Sequence, residues 1–260
     1  MKLNNNMKII VSLAVTLSFT MAAFGQTDST HVHDSLSKGF TNKAEAKNQQ
    51  VNGLNDGKWV EYYEIKKGVE TPVKGLHSAD FYRLTVYRGG KPFGKVRTYF
   101  KSGELEGENM YVNGRPNGVA KVYYKSGQVA VETPYTDGKI NGVRKMYTAS
   151  GQLMVADTVL NGKEHGIIKL YYAGGNIKTE CPFTNDKSNN QEKIRFDSLG
   201  IHLFESDADI SGMNIVNGQL SGTLKQYYES GVLKSEAPFK QDVMVGKYKE
   251  YDENGNEAKQ

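Results

Sequence analysis

The sequence is short of cysteine, of long apolar runs and of any surplus of one charge. Cys181 is the single cysteine among 260 residues, which excludes an intrachain disulfide framework and a cysteine-rich zinc site. The 33 basic and 29 acidic residues nearly balance, so the concentrated basic surplus typical of a nucleic-acid binder is missing. The main apolar run, residues 9–23, falls short of the about 20 apolar residues that a spanning helix needs. Hydrophobic residues make up 38% of the chain, which excludes both a disordered tail and a multi-span membrane protein. No tyrosine precedes Tyr62, yet there are 16 tyrosines and 28 glycines, so the chain changes character at that point.

The first 25 residues read as an export signal. Lys2 and Lys8 precede the apolar run, and Ala23-Phe24-Gly25 places small residues at the two positions a signal peptidase inspects. Cleavage is expected after Gly25, and the mature chain is expected in the periplasm or outside the cell. No cysteine follows the run, which excludes a lipoprotein anchor. Residues 26–52 are polar, poor in aromatics and without sustained periodicity, and read as a linker with room for a short helix over 43–50. His31, His33 and Asp34 in that stretch lack a fourth ligand at suitable spacing, so no metal is expected there.

From residue 53 to 260 the chain repeats itself. A glycine-led pattern starts at Gly94, Gly118, Gly142 and Gly166, each 24 residues after the last, and again at Gly222 and Gly246. A degenerate copy starts near Gln191 and an expanded one at Gly57, which makes eight. Five positions after the lead residue stands an aromatic: Tyr62, Tyr99, Tyr123, Tyr147, Tyr171, Phe196, Tyr227 or Tyr251. Nine positions after it glycine recurs, as in Gly127 and Gly151. The third position is basic in Arg97, Lys121, Lys145, Lys169, Lys225 and Lys249, and the fourteenth is acidic in Glu108, Glu132, Glu180, Glu205 and Glu236, with Ala156 the exception.

Such a unit predicts a β-hairpin. Val, Ile, Leu, Tyr and Lys alternate with period two over the first six positions, a Lys-Ser-Gly type turn follows, and a second alternating run returns. Asn113-Gly114, Asp137-Gly138 and Asn161-Gly162 then turn the chain into the next copy. Placing position 6 opposite 11 sets position 3 opposite 14, which pairs Arg97 with Glu108, Lys121 with Glu132, Lys169 with Glu180 and Lys225 with Glu236. The same register gathers positions 2, 4, 6, 11, 13 and 15 on one largely apolar face and the Tyr, Lys and Glu row on the other. Cys181 falls opposite Ile168 as a packed or half-exposed thiol, and His165 in an inter-hairpin turn. The expected fold is all-β: an elongated, twisted antiparallel meander of about eight hairpins.

The core pattern Gly-x-x-x-x-Tyr-Tyr-x-x-Gly-x-Leu, then Glu, an aromatic and Asn-Gly-x-x-x-Gly resembles the MORN repeat in its bacterial variant, over residues 53–260. The resemblance implies hairpin arrays. Bacterial members are often labelled antitoxin-like, and eukaryotic ones are associated with scaffolding and membrane lipids.

No catalytic constellation stands out from the repeat, and every glycine is a repeat turn rather than a phosphate loop, so neither an enzyme nor a cofactor is expected. The candidate binding face carries Tyr99, Tyr123, Tyr147, Tyr171, Tyr227, Arg97, Lys121, Lys145, Lys169 and Lys225. Tyrosine and arginine are enriched at binding hot spots, though side chains so placed also brace a sheet. The expected role is an exported scaffold that binds a protein or glycan. Association with a membrane surface and an antitoxin or immunity role are the alternatives. The expanded first copy over 63–90 and the longer sixth copy over 206–218 are read as functional loops or as longer, capping strands.

Overall fold

The computed structural model of the protein describes residues 35–66, 69–184 and 219–258. Among them there is no α-helix: the regular elements are twenty strands and three short 3-10 turns. Two compact units part between Asn117 and Gly118. The expected signal segment, His31, His33, Asp34 and the sixth copy with Phe196, Gly200 and Glu205 lie outside the described residues.

The first unit contains β1 (Gln49–Val51), β2 (Leu54–Lys66), β3 (Val69–Val73), β4 (Phe81–Arg88), β5 (Lys91–Phe100), β6 (Leu105–Val112) and β7 (Arg115–Pro116). β2 pairs antiparallel with β1, β3 and β4, and the chain then meanders from β4 through β7. The expanded first copy has therefore become sheet: residues 69–73 and 81–88 are strands. Trp59 of β2 stacks edge-on against Tyr87 at 5.9 Å, and its indole N–H donates to the carbonyls of Gln49 and Asp56.

The stretch expected as a linker is structured from Ser35 onward. It forms 3-10 turns at Ser35–Lys38 and Lys43–Glu45, the latter N-capped by the Asn42 side chain, and it supplies β1. Phe40 anchors it, only 5% exposed in a cluster with Tyr82, Leu84, Val86 and Tyr99. One aromatic in a polar run carries no periodicity, which is why alternation does not reveal it.

The second unit contains β8 (Gly118–Tyr123), β9 (Val129–Thr136), β10 (Lys139–Ile140), β11 (Gly142–Tyr147), β12 (Leu153–Leu160), β13 (Lys163–Glu164), β14 (Gly166–Tyr171), β15 (Ile177–Thr184), β16 (Gln219–Leu220), β17 (Gly222–Tyr227), β18 (Leu233–Lys240), β19 (Val243–Met244) and β20 (Lys249–Glu250). Four hairpins recur, β8/β9, β11/β12, β14/β15 and β17/β18, each paired with the next. At Asn113-Gly114, Asp137-Gly138 and Asn161-Gly162 both residues have positive φ, the geometry of a two-residue turn whose twist matches the strands it joins.

The expected register holds for position 3 opposite 14, as in Lys121 against Glu132, but not for 6 opposite 11. A bulge intervenes: Val122 faces Val131, then Tyr123 faces Val129, so position 5 meets 11. The same shift recurs at Tyr99, Tyr147, Tyr171 and Tyr227. Its cause is the turn. The Gly127 N–H donates to the Tyr124 carbonyl and the Tyr124 N–H to the Gln128 carbonyl, with Gly127 at φ +86. A turn closed in this way spends one extra residue on the return strand.

The apolar face forms the core of the second unit: Met146, Val155, Ile168, Leu170, Cys181, Leu220, Leu224, Ala237 and Phe239. Cys181 stands opposite Ile168, as expected, and burial pushes its thiol up to about 12.

The leading glycines have a second reason to lack a side chain. A Cβ on Gly142 would lie 2.9 Å from the Pro134 ring of the preceding hairpin, and one on Gly222 equally close to Pro182. Gly142 also has φ +131. Gly142→Ala is expected to destabilise the protein by about 2–4 kcal/mol, combining backbone strain with overpacking against a rigid ring. Urea denaturation checks this. Adding Pro134→Ala should restore only the steric part.

Candidate binding face

In the second unit the register lines up one row across the strands: Lys121, Glu132, Lys145, Ala156, Lys169, Glu180, Lys225, Glu236 and Lys249. Each residue is a direct cross-strand neighbour of the next. Ion pairs join Lys121 to Glu132 at 3.3 Å, Lys169 to Glu180 at 3.2 Å and Lys249 to Glu236 at 3.6 Å. These pairs are partly exposed, so each contributes little, about 0.2–1 kcal/mol. Lys225 stands between Glu180 and Glu236.

The repeated tyrosine completes the row. The hydroxyl of Tyr147 donates to Glu132 at 3.0 Å, that of Tyr227 to Glu180 at 2.8 Å and that of Tyr251 to Glu236 at 3.0 Å. Each of these three tyrosines thus reaches back to the glutamate of the strand pair before it in the sheet. Burial and the hydrogen bond it donates to a glutamate raise the hydroxyl of Tyr147, and push that of Tyr227 up to about 12. Burial alone would raise the Glu180 carboxyl, but hydrogen bonds from Tyr227 and Lys169 hold it below the ordinary carboxylate range. The next tyrosine in sequence reaches forward instead: Tyr124, Tyr172 and Tyr228 donate to the carbonyls of Tyr147, Tyr227 and Tyr251 at 2.7–2.8 Å. In Tyr227-Tyr228 the pair therefore ties one hairpin to both neighbours. Reading the pair only as one exposed and one packed aromatic misses the forward bond, because its acceptor is backbone and leaves no trace in composition.

A second row runs beside the first. Val119, Val143 and Ile167, each one position after its leading glycine, are 52%, 49% and 43% exposed. They share the face of the lysines two residues on and stand opposite Pro134, Thr158 and Pro182. Apolar side chains left in water beside a polar ladder make an amphipathic surface, and the expected site residues Tyr123, Tyr147, Tyr171, Tyr227, Lys121, Lys145, Lys169 and Lys225 all belong to it.

Arg97 and Tyr99 sit elsewhere. They occupy the matching face of the first unit, which residues 35–46 cover. Tyr99 is buried and stacks on Tyr82 at 5.1 Å, inside the cluster that Phe40 joins, with Leu36 and Ala46 packed against it. The Arg97 guanidinium donates to the carbonyls of Lys38 and Phe40 at 3.0 and 3.2 Å. Arg97 stands opposite Glu108 on the backbone, and Glu108 receives the Lys95 ammonium at 3.0 Å. Lys58 pairs with Glu45, and the Asn48 side chain both donates to and accepts from the Val60 backbone. His165 lies between β13 and β14, its N–H donating to the Thr158 carbonyl.

One hairpin departs from the rest. In β11/β12 the acid has moved one residue along, from position 14 to position 15, leaving Ala156 in the row and placing Asp157 on the core face. There Asp157 forms a two-pronged pair with Arg144, Nε to Oδ1 at 3.0 Å and Nη2 to Oδ2 at 2.6 Å, with the Asp157 side chain fully buried. The forward-reaching tyrosine is replaced by Thr148, which accepts from the Gln152 N–H within its own turn.

Repeated hairpins, a shared core face and a continuous polar ladder define a β-hairpin repeat protein. The profile of the MORN repeat variant matches the chain at residues 116–137, 164–185, 220–241 and 244–256, and these four matches, in phase with the recurring register, support a likeness to the MORN-repeat family. No curated protein matches the chain. Repeats of this family are generally modules that bind proteins or membranes rather than catalysts.

Proposed function

We propose that the protein is an exported, non-enzymatic scaffold that holds a partner protein on the ladder face of its second unit. The observation that supports this reading most is the first unit, where the equivalent face already holds a polypeptide. Residues 35–46 lay Phe40 over Tyr82 and Tyr99 while Arg97 takes two of their backbone carbonyls. In the second unit the same face presents Val119, Val143 and Ile167 to solvent beside tyrosines and lysines. The charge pattern favours a protein over an anionic membrane. Lys121, Lys169 and Lys249 are already paired with glutamates, whereas membrane surfaces select unpaired basic clusters. Export rests on the charged start, the apolar run and the Ala23-Phe24-Gly25 site.

The test uses tagged protein from Gln26 onward as bait in cell-envelope extract, beside a Val119→Glu, Val143→Glu, Ile167→Glu bait whose substitutions lie on exposed positions. The expected outcome is a partner captured by the first bait and lost with the second. Flotation with anionic vesicles at low salt, without protein capture, would favour the membrane role. Co-purification with a toxic partner would narrow the scaffold to an immunity role. Fractionation that leaves the mature chain in the cytoplasm overturns export.

A further inference from the structure

We propose that the gap in the ladder at Ala156 is a receptor for an acidic side chain of the partner protein. This rests on the protein-binding reading above and says what one point of that surface recognises. At three places in the second unit the ladder repeats a single arrangement. A glutamate lies between two cross-strand lysines and accepts a hydrogen bond from the tyrosine of the following hairpin, with Tyr–Glu distances of 2.8–3.0 Å. At Ala156 the donors persist and the acceptor does not. Lys145 and Lys169 flank it on the two neighbouring strands, and Tyr171 stands where Tyr147, Tyr227 and Tyr251 stand in their own hairpins. Lys169 is held by Glu180 on its other side, and Lys145 is the neighbour of Glu132 on its other side. Among the described residues, no carboxylate accepts from the Tyr171 hydroxyl.

The acid has not simply been lost from this hairpin. Asp157 carries it one residue further on, where the alternation of a strand turns it to the opposite face and Arg144 neutralises it. The ladder face thereby gains a local excess of positive charge and donors, bordered by the exposed Val143 and Ile167. A glutamate or aspartate brought in by a partner supplies the missing carboxylate, and charge-assisted bonds from a tyrosine and two lysines are the strong kind of hydrogen bond. Apolar contact from Val143 and Ile167 on one side and a single carboxylate on the other describe a short acidic–apolar segment.

Acetate is the probe, since an alanine methyl plus acetate amounts to the atoms of a glutamate side chain. Tyrosine rings and alanine methyls of the mature protein are labelled for NMR and titrated with sodium acetate against sodium chloride at equal ionic strength. The expected result is a saturable shift confined to Ala156 and Tyr171, absent in Ala156→Glu, where a tethered carboxylate already fills the place. Should Ala156→Glu fail to fold, Tyr171→Phe carries the test and is expected to weaken acetate binding about 10-fold. Shifts no larger with acetate than with chloride, or shifts that survive both substitutions, overturn the proposal. The envelope bait separates the two readings. A partner captured equally by wild type and Ala156→Glu removes the receptor and leaves the scaffold standing, whereas a loss of about 10-fold or more with Ala156→Glu supports both. Saturable acetate binding in a protein that captures only anionic vesicles overturns the protein partner.

Discussion

Asp157→Ala is expected to destabilise the second unit by about 3–5 kcal/mol, the usual cost of stranding one member of a buried ion pair. The arginine left behind is only 16% exposed, and two of its hydrogen bonds run to the aspartate that is removed. The pair itself need not be stabilising, because desolvating two charges opposes their attraction. The other hairpins indicate what replaces it: the equivalent cross-strand pairs are Ala120–Thr133, Ile168–Cys181 and Leu224–Ala237. The double variant Arg144→Leu, Asp157→Ala copies the last of these and is expected to recover most of the loss. Amide hydrogen exchange over residues 142–184 measures both. A single variant as stable as wild type would show that water or its other contacts satisfy Arg144 once Asp157 is gone.

The hairpins were legible because two periods coincide. A strand alternates every second residue, the unit recurs every 24, and charges placed at positions 3 and 14 check the register independently of the apolar pattern. Cys181 opposite Ile168 followed from that arithmetic alone. The bulge did not, because it is set by hydrogen bonds inside the Tyr124–Gln128 turn, and no side chain records them. The candidate face was legible in its tyrosines and lysines but incomplete. Val119, Val143 and Ile167 share by alternation the face of the lysines two residues on, and an apolar type at such a position reads as one more strand residue until its exposure is seen. Arg97 and Tyr99 matched the repeat in every respect, yet residues 35–46 cover them. What lies over a sheet is decided by segments whose own sequence carries no period, here a single phenylalanine, Phe40.

Glu106 gives the first unit an expected pH dependence. Its carboxyl is 4% exposed and one oxygen, Oε2, has no hydrogen-bond partner. Burial pushes it up to about 7; Arg83 opposes this and Glu70 adds to it. The surroundings are already committed. Arg83 Nη2 bonds both oxygens of Glu70 at 3.2 and 3.0 Å, and Glu61 accepts from Thr85 and Tyr87 at 3.0 and 2.9 Å. The folded chain therefore holds a proton on Glu106 that the unfolded chain releases above its ordinary value near 4.5. Because the folded state binds more protons across that window, this group's contribution makes stability fall as pH rises from about 4.5 to about 7, and level off above. The shift corresponds to about 3 kcal/mol at pH 8. Glu106→Gln keeps the shape, carries no charge and is expected to remove that slope, leaving stability near wild type at pH 4 and about 3 kcal/mol above it at pH 8. Trp59, the sole tryptophan, lies in this unit and reports its unfolding in urea. Equal stability of the two proteins at pH 8 would mean that water reaches the carboxylate and lets it ionise without cost.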